Sequence, residues 1–93
     1  MAKSQPLPPP GTLQITYTWY GYKLKWSDVG VDSVKKYNLY YSGCFPWKAR
    51  IYSGRKLEFH HFHPIKICTP NYEVTVVDIY GNESSPTIAD FNF

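Results

Sequence analysis

Residues 72–79 read Tyr-Glu-Val-Thr-Val-Val-Asp-Ile, and this stretch decides the fold. Tyr72, Val74 and Val76 share one parity, while Glu73 and Thr75 take the other. A period of two, with aromatic and β-branched residues on one side, marks a half-buried antiparallel strand. Gly81-Asn82 follows as a turn signal, and Thr87 to Phe93 supply one more strand.

The same period recurs upstream. In residues 22–26, Tyr22, Leu24 and Trp26 alternate with Lys23 and Lys25. Ser27-Asp28-Val29-Gly30 breaks that run. Tyr37, Leu39 and Tyr41 then alternate with Asn38 and Tyr40. Earlier still, Leu13, Ile15 and Tyr17 share a parity in a Thr-rich run. Trp47 to Tyr52 reads as a short strand between the turns Ser42-Gly43 and Ser53-Gly54. Residues 57–68, LEFHHFHPIKIC, show no clean period. Pro64 cannot donate to a ladder and marks an edge, a bulge or a break there. No stretch holds a helical period. Six or seven short strands, separated by turn signals at roughly ten-residue spacing, spell an all-β sandwich or barrel.

Composition agrees. Ninety-three residues make one domain with a single core. Nine Tyr, five Phe and three Trp favour strands first and contact surfaces second. The formal charge of +3 is weak for a nucleic-acid binder, and no nucleic-acid partner is expected. No apolar run approaches the ~18 residues that span a bilayer. Residues 1–11 form a Pro-rich arm without an apolar h-region, so they do not read as a secretory signal. Consecutive prolines favour extended polyproline II. The arm is then either a stiff leader into the first strand or a segment that docks on a neighbouring subunit. Residues 12–93 are the domain.

The order of these features resembles the fibronectin type III domain, particularly its bacterial and phage versions. The residues that carry the likeness are Trp26 at the end of its strand, YNLYYS at 37–42, and YEVTVVDIYGNESSP at 72–86. The resemblance runs over about residues 8–92. It implies an immunoglobulin-like (fibronectin type III) β-sandwich of about seven antiparallel strands. It also implies roles. Trp26 fills the centre between the sheets, and Tyr37 packs near it. Tyr72 is the tyrosine-corner residue, its hydroxyl bonding to backbone a few residues upstream, and Ile67 takes the apolar position in that corner. Residues 44–66 depart from the family pattern, being richer in His and aromatics. The implied topology brings Cys44 and Cys68 to one end of the sandwich. They are then either a disulfide or two reduced thiols, and their spacing matches no zinc or redox motif.

Little points to chemistry. His61 and His63 would share one face of a strand and so one metal ion, but no third ligand stands near them in sequence, and the bland reading is an exposed His-rich edge. The carboxylates Asp28, Asp32, Glu58, Glu73, Asp78, Glu83 and Asp90 suggest no acid–base pair. Asp78 and Glu83 read as turn and strand-end residues. There is no phosphate loop, no nucleophile motif and no cofactor motif, so no enzyme activity is expected. The aromatic surplus remains. Tyr40, Trp47, Tyr52, Phe62, Phe91 and Phe93 exceed what one small core can bury, and an exposed aromatic patch marks a partner surface. The expected contact residues are Trp47, Tyr52, His60, His61, Phe62 and His63. The expected function is a structural or adhesion module acting by protein–protein contact, in a virion or extracellular setting: a phage capsid decoration, head-fibre or tail-associated protein. The alternative is a spacer or carbohydrate-binding module excised from a secreted bacterial enzyme or adhesin, with a glycan as ligand.

Overall fold

In the computed structural model, residues 7–42, 48–62 and 71–92 are described. The alternating runs become strands β1 (Leu13–Thr18), β2 (Gly21–Trp26), β3 (Val34–Ser42), β4 (Ala49–Gly54), β5 (Glu58–Phe62), β6 (Asn71–Asp78), β7 (Thr87–Ile88) and β8 (Asp90–Asn92). They form two four-stranded sheets, ordered β5-β2-β1-β8 and β4-β3-β6-β7. All pairings are antiparallel except that of β1 with β8. The final strand expected over Thr87 to Phe93 is therefore split. Its first part pairs with β6 and its second crosses to the other sheet beside β1. Alternation predicts a strand but does not say which sheet takes it.

Between the sheets lie Leu13, Ile15, Tyr22, Leu24 and Trp26 from one side, and Tyr37, Leu39, Tyr72, Val74 and Val76 from the other. Each set keeps the parity that the sequence shows. Trp26 is buried, with its ring centroid 6.3 Å from Tyr37 and 6.0 Å from Tyr52. Burial of a side chain this large is worth several kcal/mol, as the ~3–5 kcal/mol cost of truncating core Phe or Trp shows. The Pro-rich arm leans on its own domain where it is described. Leu7 packs against the core, Pro10 is buried, and the Pro10 carbonyl accepts a hydrogen bond from Thr87 Oγ1.

Loops are pinned by side chains. The Tyr37 hydroxyl donates to Asp28 Oδ1 at 2.7 Å and accepts from Val29 N at 3.1 Å, which fixes the β2–β3 connection. The hydrogen bond from Tyr37 holds the Asp28 carboxyl below its ordinary range, with a smaller contribution from Gly30 N. In the β6–β7 turn, Asp78 Oδ1 accepts from Tyr80 N and Asn82 N, both at 2.9 Å. Gly81 stands at φ +89° there, a conformation that L side chains rarely adopt. Burial pushes the Asp78 carboxyl up, but these donors outweigh it and the net shift is downward.

Candidate functional site

The β1–β2 hairpin and β5 together build an open aromatic surface. The hairpin turns at Trp19-Tyr20, and Thr18 Oγ1 closes it by donating to the Gly21 carbonyl at 2.9 Å. β5 pairs with β2 over five consecutive positions, from Gly21–Phe62 to Lys25–Glu58, without a register shift. Because Leu24 and Tyr22 face the core, their partners Phe59 and His61 face it too, and Glu58, His60 and Phe62 face out. Tyr20 bends over that outer face. Its ring lies 5.4 Å from Phe62 and 6.0 Å from His60, and Trp19 stands edge-on against it at 5.1 Å. Trp19 is 90% exposed and Phe62 68% exposed. Lys23 sits beside His60 in register, with Thr16 on its other flank. The result is a contiguous cluster of four rings bordered by a cation.

Of the six expected contact residues, His60 and Phe62 belong to this surface. His61 and Tyr52 turn the other way. The register that pairs His61 with Tyr22 drives it inward, where its Nδ1 lies 2.6 Å from the Tyr72 hydroxyl. Tyr52 is half-buried, its ring 5.3 Å from Phe59. Trp47 and His63 lie outside the described residues, as do Ile67, Cys44 and Cys68. Tyr72 is fully buried. Its hydroxyl lies beside the His61 side chain, and the backbone a few residues upstream, which the resemblance implies as its partner, lies outside the described residues. Burial pushes the Tyr72 hydroxyl well above its ordinary range, so it stays protonated.

Trp19 and Tyr20 fall in a turn and belong to no alternating face, so the strand pattern does not mark them. One signal was available: a large apolar Trp at a hairpin tip, where turn chemistry prefers Gly, Asn and Asp.

Four carboxylates hold the fold together. Asp28 and Asp78 hold loops as described, and Glu73 pairs with Lys48 at 2.9 Å. Glu83 Oε2 accepts from Thr75 Oγ1 and the Tyr40 hydroxyl, each at 2.5 Å, and from Asn38 Nδ2 at 3.4 Å. Among the described residues, no group of three or more His, Cys, Asp and Glu side chains is placed to hold a metal ion. No helix among them is long and apolar enough to cross a membrane.

Solved structures share this architecture. The sixth fibronectin type III domain of human fibronectin type III domain containing protein 3 superposes with a TM-score of 0.71 at 16% identity, covering 96% of this chain and 88% of that one. The fold is that of a fibronectin type III domain. A fibronectin type III-like protein from Clostridium thermocellum matches with a TM-score of 0.67 at 16% identity, over 97% of each chain. A structure of titin kinase and its flanking domains matches with a TM-score of 0.66 at 17% identity, over 91% of this chain. The chain spans only 17% of that titin chain. No protein-family model and no curated protein matches the sequence. In this fold the Trp19 cluster occupies the hairpin between the first two strands and the outer face of the first sheet. Ile79 and Tyr80, also exposed, stand at the opposite end.

Proposed function

We propose that this domain is a non-catalytic contact module that holds another protein through the Trp19–Tyr20–His60–Phe62 surface, in a virion or cell-surface assembly. The observation that carries it is the 90% exposure of Trp19 beside the 68% exposure of Phe62. Large exposed rings in one cluster are costly to leave in water and are the residues on which interfaces concentrate their energy, with anchor residues worth about 2 kcal/mol or more. The virion setting rests on the likeness of the sequence to phage versions of the fold, which is analogy at the level of the fold.

A photo-crosslinking residue at position 19, in the chain within its natural assembly, tests the reading. It is expected to capture one protein reproducibly, and the same residue at position 53, exposed on β4 of the other sheet, to capture none. Equal capture from both positions overturns the reading. A carbohydrate-binding role is the second reading, favoured by the open Trp19 ring, a flat face on which a sugar can stack. Binding on a glycan array, lost in Trp19→Ala and unaccompanied by any protein crosslink, decides for it.

A further inference from the structure

Among the described residues, β5 is the edge strand of its sheet next to this surface, and the direction of its outward backbone groups follows from the ladder. Trp26 N donates to the Leu57 carbonyl at 2.9 Å, so Trp26 and Leu57 form a hydrogen-bonded pair. Antiparallel pairs alternate between hydrogen-bonded and not. Leu24–Phe59 and Tyr22–His61 are then bonded, while Lys25–Glu58, Lys23–His60 and Gly21–Phe62 are not. The other side of β2 agrees, since Ser27 N donates to the Thr12 carbonyl, one step from the Leu13–Trp26 pair. The N–H and C=O groups of Glu58, His60 and Phe62 therefore point away from β2. Among the described residues, no other strand pairs with β5.

Exposed edges are ordinarily blunted by bulges, lysines, prolines or shortness. The other edges have such devices. β4 pairs with β3 across a register shift at Leu39/Tyr40 and carries Arg50, while β7 is two residues long and β8 three. β5 has five regular residues, Glu-Phe-His-His-Phe, with no lysine, proline or bulge. Beside it, between the two sheets, a groove is lined by Tyr52, Lys56, Glu58, Phe59 and His60.

We infer that β5 is a strand-acceptor edge, and that the partner of the contact surface docks by adding an extended segment antiparallel to Glu58–Phe62. This rests on the contact reading above and names the form the contact takes. Cross-strand neighbours then dictate the segment's side chains. An aromatic residue opposite Phe62 joins the Tyr20 cluster. An acid opposite His60 reaches Lys23, and a base opposite Glu58 pairs with its carboxylate. The two residues between them are apolar and face the Tyr52–Phe59 groove. In its own direction the segment reads Tyr-Val-Glu-Val-Lys. A second copy of this chain fits less well, because antiparallel pairing of β5 with itself through His60 sets His60 opposite His60 and Glu58 opposite Phe62, so the charges of the edge meet no opposite charge.

The test uses the whole domain and a short synthetic peptide centred on Tyr-Val-Glu-Val-Lys, followed by amide hydrogen exchange. Binding is expected to slow exchange at Glu58, His60 and Phe62 and to leave Phe59 and His61, already bonded to β2, unchanged. His60→Pro removes an outward donor without touching the β2 ladder. It is expected to keep the thermal midpoint and to lose affinity by about tenfold or more, the worth of one or two lost hydrogen bonds. A control peptide with Glu and Lys exchanged sets like charges together and is expected to bind more weakly. Protection of Glu58, His60 and Phe62 in the free domain overturns the inference, as does equal binding of the two peptides. A concentration-dependent dimer that shows the same protection without peptide assigns the edge to a second copy instead. If no peptide binds while the position-19 crosslink persists, strand addition fails and the contact module stands. If the crosslink is absent as well, both fail.

Discussion

The two sheets present opposite outer faces. On the second sheet, Asn38 and Thr75 have the parity of solvent-facing residues, yet both are buried. The chain returns over them after the β6–β7 turn, with Glu83 bridging to Val77 and Ser84 N donating to the Val76 carbonyl at 2.8 Å. Glu83 then gathers the donors of Thr75, Tyr40 and Asn38 onto one oxygen. That face uses its polar groups on itself. On the first sheet, the hairpin tip lifts rings into solvent, and β5 at the end of the row has no further strand beside it among the described residues. The same period of two thus yields a face closed by its own connection and a face left open. The difference lies in what the loops do, and it predicts that the closed face carries stability and the open face carries binding.

The largest effect is expected where both faces share support. Trp26→Ala removes the ring that Tyr37 and Tyr52 pack against and should cost about 3–5 kcal/mol, a large part of a small domain's stability. Chemical denaturation monitored by tryptophan fluorescence measures it. A loss under about 1 kcal/mol would remove Trp26 from the centre of the core.

On the closed face, Glu83→Ala leaves the hydroxyl of buried Thr75 without its acceptor and takes one of two acceptors from the amide of buried Asn38, the Tyr40 hydroxyl being the other. The expected cost is about 1–3 kcal/mol in the urea midpoint. Binding through the open face should be unchanged. Tyr40→Phe removes one of the three donors and should cost less than Glu83→Ala.

Acid should weaken the same structures. Burial pushes the Glu83 carboxyl up from its ordinary 4.5, but the hydrogen bonds from Thr75, Tyr40 and Asn38 outweigh it and hold the group lower in the folded state. Asp28 and Asp78 are likewise held below 3.8. A depressed folded value means that the folded state binds protons less readily than the unfolded chain. The stability these groups contribute is then complete above about pH 4.5 and is lost as pH falls through the folded values. The urea midpoint should drop as the pH falls below about 4. Glu83→Ala should flatten that drop in part, and an unchanged drop would assign it to the two aspartates alone.

These effects also show what was legible in the sequence. Tyr22-Leu24-Trp26, Tyr37-Leu39 and Tyr72-Val74-Val76 declare their strands because one parity is apolar and the other is not. β5 alternates as regularly, but Glu-Phe-His-His-Phe places an aromatic or imidazole ring on both faces, so hydrophobicity does not display the period. The inward turn of His61 became visible only with its register to Tyr22. Asn38 and Thr75 look exposed by parity, and only the return of residues 83 and 84 buries them. The Trp19 cluster joins a turn to a strand some forty positions later in the chain, a neighbourhood that no local pattern encodes.

The smallest expected change in stability is the one that isolates the open face. Trp19→Ala and Phe62→Ala remove rings that are 90% and 68% exposed and that lie outside the core. Each should leave the thermal midpoint within the range of about 0.5 kcal/mol typical of surface substitutions. A fold that needed these rings would lose more, and the comparison between faces would collapse into a single cooperative structure. If stability holds while contact through position 19 disappears, the rings are kept in water for a partner. Glu83→Ala, costly to the fold and silent in binding, is the matching control on the opposite face.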